Sequence, residues 1–365
     1  MPLLSLKNIS KSYGSTPAVV DVSLNVQAGE FFGLLGPSGC GKTTMLRLIA
    51  GLETADAGSI EADGRDITHL SADKRGFGMV FQNYALFPHL NVFENVAFGL
   101  RARHQPKQVI AEHVNAALQL VQLRGHDERR VDELSGGQQQ RVAIARAMAI
   151  EPELLLFDEP LSNLDVSLRA DTRRELRQLV TRLSLTAVYV THDQEEAFAL
   201  CDRIAVMSAG RILQTGTARE LYERPDNVAV GRFLGRNNLI KAVRLTSSYI
   251  AVAKFRTLAG EVVLAVNATH DELVRLPMDQ PCMLAIRPEA VAVVRGATKG
   301  GVAGDGENRL RARVQQIEFA GATTTLRLDA GGLVIEALVL SAADFAIGDE
   351  CVVVLPPDQI TLLKA

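Results

Sequence analysis

The sequence predicts an α/β fold with a mostly parallel sheet, followed by a smaller all-β portion. Three observations carry this. Short, wholly apolar runs recur at Phe31-Phe32-Gly33-Leu34-Leu35, Leu154-Leu155-Leu156-Phe157 and Thr186-Ala187-Val188-Tyr189-Val190. Between the last two, Leu176, Leu179, Val180 and Leu183 fall at i, i+3, i+4, i+7, one face of an amphipathic helix. From Asn238 onward, short alternating segments take over.

Each element follows from its residues. Strands that are apolar on both faces must be covered on both sides, which helices in a parallel sheet provide. After residue 35 comes a glycine-rich turn, and Lys42 to Ala50 has helical composition. In the tail, Thr325-Leu326-Arg327-Leu328-Asp329 alternates with period 2, Gly331-Gly332 turns the chain, and Leu333 to Leu340 runs back as a strand. Gly300-Gly301 and Gly304-Asp305-Gly306 mark a loop. A faint echo links Arg287-Pro288-Glu289-Ala290-Val291 to Leu355-Pro356-Pro357-Asp358-Gln359-Ile360, as two related β segments would give. The expected partition is residues 1–235 and 236–365.

Composition removes several classes of function. The 365 residues are 47% hydrophobic and 22% charged, a soluble globular balance with length for two domains. The formal charge is −3, there is no Trp, and aromatics make up 5%. A broadly basic nucleic-acid binder, or a surface that stacks bases, is not expected from that. No run of 18 uncharged apolar residues exists, and the first residues lack the basic start and apolar stretch of a secretory signal. Cys40, Cys201, Cys282 and Cys351 are scattered, with no C-x-x-C pair, so reduced thiols in a cytosolic setting are expected.

Gly36-Pro37-Ser38-Gly39-Cys40-Gly41-Lys42-Thr43-Thr44 fits G-x-x-x-x-G-K-[ST] between a strand-like run and a helix. Glycines let backbone N–H groups approach phosphate oxygens without a Cβ in the way. The helix start adds unpaired N–H groups and the positive end of its dipole. Lys42 can neutralise the β and γ phosphates, and the Thr43 hydroxyl can ligate Mg²⁺. A plain glycine turn capping a helix is the competing reading, and the flanking strand and helix weigh against it. Asp158-Glu159 ends the run at 154–157. A carboxylate at the C-terminal end of a central strand points into the crevice where such sheets hold ligands. Asp158 is expected to hold Mg²⁺ through its waters, and Glu159 to polarise the attacking water.

Leu134-Ser135-Gly136-Gly137-Gln138, followed by Gln139-Gln140-Arg141-Val142-Ala143-Ile144-Ala145-Arg146-Ala147, resembles the signature of ATP-binding cassette (ABC) ATPases. Ser135 with two glycines before a helix is itself an anion-binding start. A second phosphate site is best used on a partner's nucleotide, in a two-fold dimer with ATP at the seam. The resemblance implies a P-loop ATPase domain with a helical subdomain. It further implies that Tyr13 stacks on adenine and that Gln82 contacts Mg²⁺ and water. Asp165, in Asn163-Leu164-Asp165, would cross to the partner copy, and His192 would contact the γ-phosphate. Cys40 reads as a small filler in the phosphate loop. His69, His89, His104, His113, His126 and His270 read as surface residues.

Phe81-Gln82-Asn83-Tyr84-Ala85-Leu86-Phe87-Pro88-His89-Leu90 and Leu161-Ser162-Asn163-Leu164-Asp165 resemble the importer branch that serves sugars, polyamines, ferric iron, sulfate and phosphonates. Ile286-Arg287-Pro288-Glu289 is similar to that branch's oligomer-binding-like (TOBE) β domain. The resemblance implies an ATP-hydrolysing subunit at the cytoplasmic face of a membrane, peripheral, with ATP and Mg²⁺. Its partners would be a second copy, transmembrane permease subunits and, indirectly, a solute-binding protein, but no nucleic acid. The stretch Phe233-Leu234-Gly235-Arg236-Asn237-Asn238 suggests ferric iron, polyamine or phosphonate as solute. Two other classes compete. A soluble ABC-type ATPase acting on RNA or ribosomes through its β tail is opposed by the charge and the scarce aromatics. A nucleotide-binding regulator without turnover is opposed by the retention of Glu159 and His192.

Overall fold

The computed structural model describes residues 2–245, 252–276, 278, 280–296, 308–340 and 345–363, with 166, 167 and 275 given by backbone alone. The loop expected at Gly300-Gly301 and Gly304-Asp305-Gly306 lies outside the described residues. The chain forms two compact units, Met1–Arg219 and Glu220–Ala365.

The first unit is built on a six-stranded sheet. Its order is Arg211–Gly216, Arg203–Ser208, Phe31–Leu35, Thr186–Thr191, Leu154–Asp158, Gly78–Val80. Every neighbouring pair is parallel except the first. The three apolar runs are buried throughout, as strands covered on both faces must be. One face carries Phe31, Phe157 and Tyr189, whose rings meet at centroid distances of 5.8–6.2 Å. The other carries Phe32, Leu34, Leu156 and Val188, which join a core with the Lys42–Ala50 helix and a second sheet.

That second sheet is antiparallel, in the order Thr16–Gln27, Pro2–Tyr13, Ala57–Ala62, Arg65–Asp66. The expectation of strands alternating with helices passed over it. Its signal was present, since Val22, Leu24 and Val26 are buried between exposed neighbours in strict period 2. The helices Val92–Ala102, Lys107–Leu120 and Gly136–Met148 pack on one another as a helical group. Among the described residues no helix is long and apolar enough to cross a membrane.

Register gathers the site. Leu35 pairs with Thr191, and Asp158 with Val190, so these strands end at one edge of the sheet. The chain leaving them there is the loop from Gly36, Glu159 and His192.

The second unit is all-β apart from short helical turns. Two five-stranded antiparallel sheets run 263–267, 252–257, 238–244, 281–286, 361–363 and 292–295, 350–355, 308–319, 323–330, 333–340. They share a core that includes Phe255, Leu284, Leu328 and Val353. The two echoed segments are both crossovers. Pro281–Ile286 passes through the 3-10 turn Pro288–Ala290 to Ala292–Arg295, and Glu350–Leu355 passes through Pro357–Gln359 to Thr361–Leu363, each changing sheet. The buried Arg287 guanidinium donates to the carbonyls of Tyr222, Leu234 and Arg236. By packing, residues 220–235 therefore go with the second unit, whereas the change of sequence pattern at 235 puts them with the first.

Candidate functional site

The loop after Phe31–Leu35 is shaped by glycines that admit no side chain. Gly41 has φ +103°, and a Cβ there would lie 2.2 Å from the Ala18 carbonyl oxygen. A Cβ on Gly36 would meet the Met207 carbonyl oxygen at 2.3 Å. Gly41 starts the Lys42–Ala50 helix without a side-chain cap, so the first N–H groups of that helix are left for another acceptor. Lys42 is buried, and its Nζ donates to the carbonyls of Gly36 at 2.8 Å and Pro37 at 2.9 Å. The ammonium is therefore folded over the loop and holds it wrapped. Cys40 is buried beneath, and burial pushes its thiol up in pKa. All four cysteines are free; Cys201, Cys282 and Cys351 are shifted upward by burial too, Cys282 to about 11.

Thr43 Oγ1 donates to Asp158 Oδ1 at 3.1 Å. Asp158 is 8% exposed, and burial raises its carboxyl pKa against the opposing effects of the Thr43 hydrogen bond, Arg47 and Lys42. A hydroxyl and a carboxylate facing each other beside a phosphate-shaped loop form the donor pair that a hard cation takes. Among the described residues no cluster of three or more His, Cys, Asp or Glu could hold a metal. Mg²⁺ needs none, because it binds through one or two protein oxygens, substrate phosphates and water.

Glu159 follows in the left-handed region at φ 45°, uncommon for a residue with a side chain. Its N–H donates to the Val190 carbonyl at 3.0 Å, and its own carbonyl accepts from Ser162 Oγ at 2.9 Å. The turn directs the carboxylate to His192, whose Nδ1 lies 3.0 Å from Glu159 Oε2. Below His192 runs a network that sequence reading missed. Glu196 is buried and accepts from Tyr189 OH at 3.0 Å and Thr191 Oγ1 at 2.8 Å. Arg169 reaches Asp193 at 3.5 Å and Glu196 at 3.9 Å. Asp193 caps the Gln194–Leu200 helix, which fixes the backbone after His192.

Ser135 caps the Gly136–Met148 helix in a reciprocal box. Its Oγ accepts from the Gln138 N–H at 3.3 Å, and Gln138 Oε1 accepts from the Ser135 N–H at 3.0 Å. Gly137 is buried against Leu168, where a Cβ would be 3.3 Å from its methyl carbons. Asp165 caps the Val166–Arg182 helix. Among the described residues no hydrogen bond joins 134–138 to the loop at 36–44.

Gln82 is exposed, and its carbonyl accepts from Asn163 Nδ2 at 3.0 Å; no hydrogen bond among the described residues ties its side chain to Thr43 or Asp158. Tyr13 ends the Pro2–Tyr13 strand 47% exposed, with Lys11 Nζ 5.7 Å from its ring centroid. The structure thus assembles Lys42, Thr43, Asp158, Glu159 and His192 at one sheet edge. Gln82 is joined to the next loop through Asn163, two residues before the helix cap Asp165, and among the described residues no hydrogen bond joins the Ser135 turn to the loop at 36–44. Of the other histidines, four are exposed, while His113 and His126 are half-buried.

Comparison with known proteins bears on the chain as a whole. A family model described as ABC transporter matches residues 19–162, and one described as TOBE domain matches 284–363. The chain is 41% identical over 362 residues to the spermidine/putrescine import ATP-binding protein PotA of Bacteroides thetaiotaomicron, covering 99% of this chain and 73% of that protein. It is 44% identical over 292 residues to the Fe(3+) ions import ATP-binding protein FbpC of Photorhabdus laumondii, covering 80% of each. Among solved structures it resembles cbiO1 of Clostridium perfringens, part of an ABC transporter complex, at TM-score 0.56 and 28% identity over 60% of this chain and 90% of that one. It also resembles the dimeric ATP-binding cassette MJ0796 bound to ADP and Pi, at TM-score 0.53 and 33% identity over 59% of this chain and 99% of that one.

Proposed function

The chain belongs to the ABC transporter family, in the importer branch whose ATP-binding subunits carry a TOBE domain, and from that membership we propose how its residues work. It is the ATP-hydrolysing subunit of an import transporter. The ATPase lies within residues 1–235, of which 220–235 pack with the β portion, and residues 236–365 form that portion and regulate. The observation that carries this reading is the meeting of the Lys42 loop, the Thr43–Asp158 pair and the Glu159–His192 pair at one sheet edge.

Each residue then has a task. The loop N–H groups from 36 to 44 wrap the phosphates, and Lys42 exchanges its two carbonyl partners for phosphate oxygens. Thr43 and Asp158 would hold Mg²⁺, with Gln82 as a further contact, and the ion supplies charge neutralisation at the β and γ phosphates. Glu159 takes the proton of the attacking water, and His192 holds the Glu159 carboxylate and meets the γ-phosphate. Tyr13, exposed at its strand end, stacks on adenine. The Ser135-Gly136-Gly137-Gln138 turn is a second anion-binding start with no use inside its own copy. It serves the nucleotide held by a second copy, with Asp165 at the seam.

The exposed face of the loop at 81–90 meets a transmembrane permease, which places the subunit peripherally at the cytoplasmic side of the membrane. The solute is a polyamine or ferric iron, following the names of the relatives. A solute-binding protein acts on the far side.

The test uses the full chain with ATP and Mg²⁺. The parent releases phosphate, and Glu159→Gln holds ATP in a dimer seen by light scattering, with phosphate release lowered about a hundredfold or more. A Glu159→Gln chain that stays monomeric with ATP and hydrolyses at the parent rate removes Glu159 from the role of base.

A further inference from the structure

We propose that Arg146 is a positioning residue for ATP hydrolysis, the tie that makes the loop carrying Gln82 follow the helix begun by Ser135. The proposal rests on the ATPase reading above.

The loop is held at three points. Asn163 Nδ2 donates to the Gln82 carbonyl at 3.0 Å and to Asn83 Oδ1 at 3.1 Å. Asn95, wholly buried, accepts from the Phe87 N–H at 2.8 Å and donates to the carbonyls of Phe87, Leu90 and Asn91. The middle point is Arg146. Its two terminal nitrogens donate to the carbonyls of Tyr84 and Ala85, each at 2.7 Å. Its guanidinium carbon lies 5.8 Å from the centroid of the Phe87 ring.

Tyr84 and Ala85 are consecutive non-glycine residues in the left-handed region, at φ 58° and φ 50°. Such a pair persists only where its surroundings over-determine it. The Tyr84 N–H donates to the Phe81 carbonyl, the Ala85 N–H to the Asn83 carbonyl, and the Tyr84 ring is buried; to these Arg146 adds one planar fork that meets both carbonyls at once, a geometry a lysine cannot copy. Removing the fork takes away the tie to the helix and leaves only contacts local to the loop and the buried Tyr84 ring to keep the pair in that region, so the chain at 81–83 no longer follows the helix.

Arg146 stands on the Gly136–Met148 helix, three turns beyond the Ser135 cap. A helix of that length is stiff, and about 16 Å separates its Ser135 end from Arg146. Whatever anion the Ser135 turn binds, its effect on the tilt of the helix arrives at residues 84 and 85. The Asn163 end of the same loop adjoins Asp165. The two turns assigned to the partner's nucleotide thus both terminate on the Gln82 loop, and Arg146 is the charged one of the two ties.

The test compares the full-length parent, Arg146→Met, Arg146→Lys, Ala85→Gly and the Arg146→Met/Ala85→Gly double variant. ATP affinity and steady-state phosphate release are measured for each. Arg146→Met is expected to lower kcat about tenfold, with ATP affinity within about twofold, because the Lys42 loop is untouched. Arg146→Lys falls between parent and Arg146→Met. Ala85 is exposed, and glycine adopts its φ without steric strain, so Ala85→Gly is expected to return the double variant to within about threefold of the parent. A merely stabilising arginine would lower kcat and ATP-binding capacity together and would gain nothing in kcat per bound ATP from the glycine. That result, or parental kcat in Arg146→Met, overturns the proposal. Should Arg146→Met not fold, Arg146→Lys with and without Ala85→Gly decides by the same criterion. A parent that releases no phosphate overturns the ATPase reading and this proposal with it. A working parent with an indifferent Arg146 overturns this proposal alone.

Discussion

His192 Nδ1 lies 3.0 Å from Glu159 Oε2, although the two residues leave different strands of the sheet. The imidazole is half exposed, while the carboxylate sits inward with its backbone locked by Val190 and Ser162. The histidine is therefore the movable partner and the glutamate the fixed one. His192→Ala should lower kcat about a hundredfold while ATP binding stays intact, and His192→Gln, which keeps a donor near the carboxylate, should lose less. Steady-state phosphate release beside equilibrium ATP binding separates the two effects.

Lys42 presents a different case, because it serves the loop before it serves a ligand. Its ammonium bridges the carbonyls of Gly36 and Pro37 from a buried position. Lys42→Ala leaves both carbonyls without that donor. The expectation is a loss of about 1–3 kcal/mol in stability without nucleotide. The rise in melting temperature that ATP gives the parent should also vanish. Thermal unfolding with and without ATP measures both in one experiment.

Gly41 tests the loop by shape alone. Its φ of +103° and the 2.2 Å approach of the Ala18 carbonyl leave no room for a methyl group. Gly41→Ala should cost about 3 kcal/mol or more, from backbone strain and overpacking together. Gly39→Ala also carries a positive φ, but no atom lies within 4 Å of its Cβ position, so its cost should be about 1 kcal/mol. Urea unfolding of the two variants side by side reads the difference.

These positions differ in how far they could be read from the sequence. Lys42, Thr43, Asp158 and Glu159 belong to local strand–turn and turn–helix patterns, and burial of both faces of the central strands follows from their apolar runs. Arg146, Asn95 and Arg169 did not announce themselves. Arg146 acts on carbonyls 61 and 62 residues away, and no spacing within its own helix encodes that. Residues 220–235 are drawn into the second unit by Arg287, whose buried guanidinium is a tertiary fact. The N-terminal antiparallel sheet was legible in its alternation, but the stronger parallel-sheet signal obscured it.

Arg287 ties residues 222–236 into the second unit. Its guanidinium lies 3.7 Å from the centroid of the Tyr222 ring, while the Tyr222 hydroxyl donates to Glu289. Burial lowers the Arg287 pKa, so its charge is costly unless all these partners remain. Arg287→Met removes the donors and should loosen residues 222–236 by about 2 kcal/mol. Amide exchange in that segment would then accelerate roughly thirtyfold, with phosphate release by the full chain unchanged. Hydrogen exchange read by mass spectrometry localises the effect.

Glu196 gives the pH dependence a sign. Burial pushes its carboxyl above the ordinary value, and the hydroxyls of Thr191 and Tyr189 offset this only in part. For an acid whose folded pKa is raised, the folded state binds the proton more tightly than the unfolded chain. Its stabilising contribution is then fully present below the unfolded value, near 4.3 by ordinary glutamates. It is lost as pH rises through the folded value. Glu196→Gln keeps an oxygen to accept from Tyr189 and Thr191 and removes the titration. The stability of the parent relative to Glu196→Gln should therefore fall from acid toward neutral pH and level off above the folded pKa. Urea unfolding of both chains across pH 4 to about 8 tests it. A difference that rises with pH would mean that Arg169, 3.9 Å from the carboxylate, outweighs burial and holds Glu196 charged.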